Sequence, residues 1–134
     1  SGTSAVGSMV VFTNGKPDKT QYRKFKIKTV KGSNDVAMLK EVLIRRLRND
    51  WSLPNVFLID GGLPQVHAAE TVLRAQKITI PVVGLAKGPE RKRNDVIGVV
   101  PDGTTLETLI KVRDEAHRFA IAYHRTLRGS RFLI

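Results

Sequence analysis

The chain has 134 residues, which is enough for one compact domain and too few for two. Lys and Arg outnumber Asp and Glu by 23 to 12, which gives a formal net charge of +11. A surface this basic repels itself, so nucleic acid is the leading partner, ahead of a membrane surface or an acidic protein. The absence of Cys excludes disulfides, thiolate metal sites and cysteine nucleophiles, and it fits a reducing cytoplasm.

Other classes of protein are excluded by the motifs that the sequence lacks. No apolar run approaches the roughly 20 residues of a membrane span, and no signal-peptide pattern opens the chain. There is no Walker-type phosphate loop, no zinc-ligand spacing and no Ser-centred elbow. We therefore expect no nucleotide cofactor and no acyl transfer. Residues 1–4 lack an initiator Met and look like an internal cut.

A β-hairpin is predicted at the start of the chain. Residues 8–13 are predicted to form a strand, because residues 9–12 are apolar and mostly favour one, and residues 14–17 indicate a turn. Residues 22–28 then alternate between two faces. One of these faces consists of Tyr22, Lys24, Lys26 and Lys28. It is either a solvated outer face, which the sequence alone favours, or a phosphate-contacting one.

The middle of the chain alternates between predicted helices and strands. Ser33 or Asn34 can cap a helix that ends near Arg48. The basic residues on its exposed side are Lys40, Arg45, Arg46 and Arg48. Residues 56–59 and 80–86 are apolar without alternation, which is typical of central strands covered on both faces. A helix over residues 64–76 separates these two strands.

The last part of the chain contains a short strand and a long helix. The strand is predicted over residues 96–100. Thr104 or Thr105 caps the helix, Thr104 and Glu107 have capping-box spacing, and the helix reaches about Leu127 with Gly129 as its stop. The order of elements predicts an α/β fold, with a mixed sheet and flanking helices.

Asp60 and His117 are the residues most suited to chemistry. Asp60 directly follows a buried apolar strand, and ligands collect at the carboxyl ends of strands in α/β sheets. It could equally be a turn former or a helix cap. His117 lies within or beside the inward stripe of the last helix, where a polar side chain needs a partner. That partner could be a backbone carbonyl, a metal or a proton-transfer group.

Charged neighbours of these two residues have open roles. Asp114 could orient His117 or share a metal with it, or it could be a surface carboxylate paired with Arg118. Lys87 ends a predicted strand at the edge where Asp60 should lie, and Arg91 belongs to the basic loop that follows. This loop is either a phosphate contact or a solvated segment.

Several segments are similar, in order and spacing, to one known family. They are residues 7–12 with 22–27, residues 58–62 with Gln65, residues 84–87, and residues 113–120. The resemblance is to the carboxy-terminal endonuclease domain of UvrC, and it covers essentially the whole chain. The run Arg-Asp-Glu-Ala-His-Arg-Phe-Ala is the most specific part of it.

The resemblance implies a ribonuclease-H-like fold and a function in nucleotide excision repair. The family's nuclease cuts damaged double-stranded DNA on the 5′ side of a lesion, after UvrA and UvrB have located the damage. Its site is an Asp, Asp, His set that binds Mn²⁺ or Mg²⁺; Asp60 matches the second Asp and His117 matches the His. The supporting residues expected around them are Gly61, Gly62, Gln65 and Asp114. The expected DNA contacts are Lys87, Arg91, Arg113 and Arg118.

The sequence departs from the family pattern in two places. The family's first Asp lies on a strand just before the position of Ser1, so we expect this chain to lack one metal ligand and one central strand and to be weak or inactive alone. Leu63-Pro64 replaces the usual Lys-Gly, and Pro is tolerated in the first turn of a helix. Any phosphate contact made by that Lys is lost.

Three hypotheses follow for the function. The chain is a metal-dependent DNA endonuclease domain, a non-catalytic basic module that binds nucleic acid, or an interaction domain of a larger assembly. The first hypothesis predicts that Asp60 and His117 converge at the strand ends. The second predicts that they are far apart or buried with protein partners.

Overall fold

The computed structural model describes residues 5–32, 34–87, 94–124 and 131–133. Its elements, in chain order, are β1 (Val6–Met9), β2 (Phe12–Thr13), β3 (Lys16–Pro17), β4 (Arg23–Lys26), α1 (Asp35–Leu47), β5 (Phe57–Asp60), α2 (Leu63–Ala75), β6 (Val82–Lys87), β7 (Asn94–Ile97), α3 (Leu106–His124) and β8 (Arg131–Leu133). This confirms the predicted mixed α/β architecture and is consistent with a ribonuclease-H-like fold. None of the helices in the described ranges is both long and apolar enough to cross a membrane.

The predicted hairpin is present, with a shorter first strand. β1 pairs antiparallel with β4, and Met9 lies opposite Arg23. The strand expected over residues 8–13 breaks after Met9, because β2 turns away and pairs with β3 in a two-stranded ribbon. Asn14 and Gly15 have positive φ angles of 52° and 79°, which a tight hairpin turn requires.

β8 pairs parallel with the other edge of β1, an arrangement that the sequence patterns did not predict. The sheet order is therefore β4-β1-β8. Three residues are too few to show a periodicity, so no pattern in the sequence could indicate this strand.

The second sheet has the order β5-β6-β7, with β5 parallel to β6 and β7 antiparallel to it. β6 is central, as predicted. β5 pairs with β6 alone among the described strands, so the predicted central position is wrong for β5 in this part of the chain. Its apolar run reflects packing: Phe57 and Ile59 are buried and Leu58 is half-buried.

The helices lie in two layers around the sheets. α1 and α2 pack against each other, and the guanidinium of Arg45 lies 5.4 Å from the ring of Phe25 on one face of β4. On the opposite face of β4, the rings of Tyr22 and Phe119 are 5.1 Å apart, which places α3 in the other layer.

Both predicted helix caps are found, with one correction. The side chain of Asn34 accepts a 3.0 Å hydrogen bond from the Ala37 amide and begins α1; Ser33 lies outside the described residues. The hydroxyl of Thr105 accepts a 3.1 Å bond from the Thr108 amide and begins α3. The N-cap is therefore Thr105. The capping box expected between Thr104 and Glu107 was placed one residue too early in the chain. The predicted end of α3 near Gly129 lies outside the described residues.

Arg46 is buried, whereas the helical pattern predicted it on the exposed side of α1. Only 4% of Arg46 is exposed. Its guanidinium donates a 2.6 Å hydrogen bond to the carbonyl of Ser52, because the chain after α1 folds back over the end of the helix. Burial, together with the charge of Arg23, lowers the pKa of Arg46.

Candidate functional site

Asp60 and His117 meet at the carboxyl end of β5. The Nε2 atom of His117 lies 2.7 Å from Oδ2 of Asp60, which is hydrogen-bond distance. The side chains are 29% exposed for Asp60 and 41% exposed for His117, so both reach solvent. The two residues are 57 positions apart in the chain, and β5 and α3 bring them together. This convergence is what the nuclease hypothesis predicted.

The turn that follows Asp60 is fixed by the neighbouring strand and helix. The Gly61 amide donates a 3.0 Å hydrogen bond to the carbonyl of Leu85 in β6. A Cβ on Gly61 would lie 3.0 Å from Cγ of Gln65, so the Gln65 side chain folds directly over the turn. Gly62 is the N-cap of α2, and Pro64 stands in the first turn as expected. Gly61, Gly62 and Gln65 thus lie beside Asp60, and their supporting role stays a prediction.

Gly84 allows β6 to approach this turn closely. A Cβ at Gly84 would lie 2.5 Å from Cγ2 of Val66 and 2.9 Å from the carbonyl oxygen of Gly61. No side chain fits there, so Gly84 sets the spacing between β6, α2 and the turn that carries Asp60. Gly84 belongs to a segment that is similar to the family, and glycine inside a strand indicates a close backbone approach of this kind.

Arg113 bonds to Asp114, its neighbour in α3, and to Asn94 in β7. Arg113 is only 7% exposed, and its guanidinium donates to Oδ1 of Asn94 and, at 3.2 Å, to Oδ1 of Asp114. The guanidinium therefore joins α3 to β7, and the contact of Arg113 with DNA stays a prediction. Asp114 is a surface carboxylate, with a side chain that is 65% exposed, and its partner is Arg113 instead of Arg118.

Arg118 pairs with Glu115, a residue to which the sequence analysis gave no role. Nε and Nη2 of Arg118 donate hydrogen bonds of 2.6 and 2.8 Å to the Glu115 carboxylate. Tyr22 donates a further bond of 2.8 Å to Oε2. The bonds from Arg118 and Tyr22, together with the charge of Lys19, hold the pKa of Glu115 at about 2 despite partial burial.

The remaining predicted DNA contacts are placed only in part. Lys87 is the last residue of β6, the strand that pairs with β5, so its backbone lies at the same sheet edge as Asp60. Its side chain is not among those described. Arg91 lies outside the described residues.

Asp60 and His117 are chemically suitable donors for a divalent metal. Carboxylate oxygen suits Mg²⁺ and Mn²⁺, and imidazole nitrogen is a common ligand of transition metals. In the described ranges, no cluster of three or more His, Asp or Glu side chains is placed to hold an ion. The pair therefore fits a metal as two of its ligands.

An α/β sheet with an Asp–His pair at a strand end, beside a glycine turn, is consistent with a ribonuclease-H-like domain. The family model of the UvrC RNase H endonuclease domain matches residues 1–121. The chain belongs to this family, and its members are endonuclease domains of the UvrABC excision repair system.

Full-length relatives from distant organisms agree with this assignment. The UvrABC system protein C of Chlorobium chlorochromatii is 46% identical over 140 residues, covering 98% of this chain and 22% of the relative. The protein of the same name from Methanococcoides burtonii is 46% identical, covering 98% of the chain and 23% of the relative. The protein of the same name from Streptococcus thermophilus is 43% identical, covering 96% of the chain and 24% of the relative. The chain thus spans less than a quarter of the length of these relatives.

Proposed function

We propose that this chain is the nuclease part of a cytoplasmic excision repair protein, and that it cuts damaged double-stranded DNA on the 5′ side of a lesion with the help of Mn²⁺ or Mg²⁺. The observation that supports this most directly is the 2.7 Å contact between Asp60 and His117 in a member of the UvrC family. In the whole protein the substrate would be the complex of UvrB with damaged DNA.

Asp60 and His117 would hold the metal through Oδ2 and Nε2 respectively. The chemistry supplied by the ion, when bound, is polarisation of the scissile phosphate and a lower pKa for the attacking water. Because Oδ2 and Nε2 already lie 2.7 Å apart, the protein positions both donors without a large rearrangement. The hydrogen bond of Gly61 to Leu85 fixes the backbone next to Asp60.

Lys87, Arg91 and Arg118 are proposed to contact the phosphates around the cut. Arg118 is the best supported of the three, because its side chain is 55% exposed and follows His117 directly in α3. Arg113 is left out of this group because its guanidinium is buried against Asn94 and Asp114.

We also propose that this stretch of chain is weak or inactive alone. Asp60 and His117 supply two donors, and the described residues bring no third carboxylate to them. Two protein ligands hold a divalent ion less firmly than three. By the family resemblance, the third ligand would be the family's first Asp.

The experiment is Mn²⁺-dependent nicking of supercoiled plasmid by two proteins, this chain and a version extended at its amino end through the family's first Asp. The extended version should nick, and Asp60→Asn or His117→Ala should abolish nicking. Glu70→Gln, which changes an exposed carboxylate on α2, is the matched control and should nick normally. If neither version nicks but both bind DNA, the non-catalytic binding module becomes the better explanation.

A further inference from the structure

The lysine face of β4 lies on the same side of the sheet as α3. The Nζ atom of Lys24 is 5.5 Å from the ring centre of Phe119. Tyr22, on the same face, makes the 5.1 Å ring contact with Phe119. Phe119 follows His117 by only two residues in α3. The face is therefore separated from the Asp60–His117 pair by one helix, which is about 10–12 Å wide with its side chains.

The charge of the hairpin is strongly one-sided. Residues 5–32 contain a single acidic residue, Asp18, whose carboxylate accepts hydrogen bonds of 2.6 and 2.7 Å from its neighbours Thr20 and Gln21. The basic residues of the same segment are Lys16, Lys19, Arg23, Lys24, Lys26, Lys28 and Lys31. No other carboxylate within the hairpin neutralises this charge, so a large share of the net positive charge is concentrated beside the candidate site.

Arg118 adds exposed guanidinium donors on α3, and its charge is paired with that of Glu115. Its side chain is 55% exposed, and two hydrogen bonds to Glu115 hold the guanidinium in place. Lys19, Lys24 and Lys26 are also exposed. We call these four residues, Lys19, Lys24, Lys26 and Arg118, the basic face.

We infer that the basic face binds the phosphate backbone of duplex DNA next to the cut, which reverses the solvated interpretation that the sequence favoured. The inference rests on the proposed function, because it takes the Asp60–His117 pair as the place of the cut. B-DNA carries one negative charge per about 1.7 Å of its axis. A duplex with one phosphate at the pair therefore presents several more within the width of α3.

The surface can be tested with a triple variant, Lys19→Gln/Lys24→Gln/Lys26→Gln, which keeps the hydrogen-bond donors on the hairpin and removes three charges. The matched control is Lys40→Gln/Arg48→Gln/Arg74→Gln, which removes three charges from α1, its C-cap and α2, in the layer on the other face of β4. The measurement is the affinity for a short fluorescein-labelled duplex, by anisotropy, over a series of KCl concentrations. Circular dichroism and thermal melting check that both variants fold.

The hairpin variant should reduce the slope of log K against log salt by about 2.7, at roughly 0.9 for each lost phosphate contact. Its affinity near physiological salt should fall roughly tenfold or more, while the control stays within about threefold. Equal losses in both variants would mean that binding follows net charge alone, and would overturn the inference. Unchanged binding by the hairpin variant, or no measurable binding by the parent chain, would also overturn it and favour a protein partner or solvent for this face.

The same duplex measurement on Asp60→Asn separates this inference from the proposed function. Asp60→Asn should bind with an unreduced salt slope, because it removes no basic side chain. If the extended chain fails to nick but the hairpin variant still loses its slope, the nuclease proposal fails and the DNA-binding face stands. If the extended chain nicks but the two triple variants have equal salt slopes, the nuclease proposal stands and the inference about the basic face fails.

Discussion

The hydroxyl of Tyr22 in the hairpin lies 2.8 Å from Oε2 of Glu115 in α3, two residues before His117. This bond joins the sheet of β1 and β4 to the helix that positions the imidazole. The same carboxylate also accepts the two bonds of Arg118. Tyr22 and Glu115 therefore connect the hairpin to α3, and Arg118 bonds to the same carboxylate.

Tyr22→Phe should lower the free energy of unfolding by about 1–2 kcal/mol, the usual range for a partly exposed hydrogen bond to a charged group. The substitution keeps the ring that contacts Phe119, so the loss isolates the hydroxyl. Urea denaturation measures it. A Tyr22→Phe protein as stable as the parent would show that water replaces the bond at no cost.

The same variant should also change how the stability of the protein depends on pH in the alkaline range. Burial, and then the hydrogen bond to Glu115, raise the pKa of Tyr22 in the folded protein. This group therefore contributes stability that is complete below the ordinary tyrosine pKa, about 10, and is lost as the pH rises toward the raised folded value. Above about pH 10, the difference in free energy of unfolding between the parent and Tyr22→Phe, measured in urea, should shrink. A difference that stays constant with pH would contradict the assignment to Tyr22.

Glu41→Gln should lower the free energy of unfolding substantially, although glutamine has the same shape as glutamate. Its buried carboxylate accepts hydrogen bonds of 2.8 Å from the amides of Lys28 and Thr29, a short bond from the Thr29 hydroxyl and one of 3.1 Å from Arg45. An amide nitrogen in this position faces donors, so we expect a loss of about 2–3 kcal/mol in urea denaturation. The exposed Glu70→Gln is the control and should change stability little.

The contribution of Glu41 should also disappear in acid. Burial alone would raise the pKa of Glu41, but the bonds from Thr29, the Lys28 amide and Arg45 lower it below the ordinary value. Its stabilisation is therefore complete above the ordinary glutamate pKa, about 4.3, and is lost as the pH falls through the lowered folded value. The parent and Glu41→Gln should converge in stability at low pH; equal separation at neutral and acid pH would refute this.

Gly84→Ala should destabilise the protein by about 1–3 kcal/mol, as overpacking does, and should disturb the turn after Asp60. The new Cβ would meet Val66 at 2.5 Å and the Gly61 carbonyl at 2.9 Å. Gly62→Ala is the control in the same turn, since the nearest atom lies 3.9 Å from its Cβ. Adding Val66→Ala should restore part of the stability only, because the backbone carbonyl remains. Equal thermal midpoints for Gly84→Ala and Gly62→Ala would contradict the close approach.

Mn²⁺ should raise the thermal midpoint of the chain, and Asp60→Asn should abolish the rise. A ligand that binds only the folded state stabilises it by RT ln(1 + [L]/Kd), so even a weak site responds at millimolar metal. Asp114→Asn, which changes an exposed carboxylate paired with Arg113, is the control and should keep the response. An identical response in Asp60→Asn would place the ion elsewhere.

The two central residues of the site could be selected from local sequence patterns, but their contact could not. Asp60 was indicated by its place at the end of an apolar strand, and His117 by its place on the stripe of a helix. Their meeting depends on how α3 lies across β5, which is a property of the whole fold. For this reason the sequence left both residues with alternative roles.

The differences between expectation and structure have physical causes. The helical pattern placed Arg46 on the exposed side, because a single-helix pattern cannot show that residues 51–52 fold back over it. Arg113 was expected on DNA from the family resemblance, but Asn94 and Asp114 occupy its guanidinium. Glu115 was missed because its partner Tyr22 lies 93 positions away.

α3 connects the hairpin to the Asp60–His117 pair. This helix of 19 residues presents Glu115 and Phe119 to the hairpin on one flank and His117 to Asp60 on the other. A displacement of this helix by a duplex bound to the basic face, as inferred above, would therefore also move the imidazole of His117.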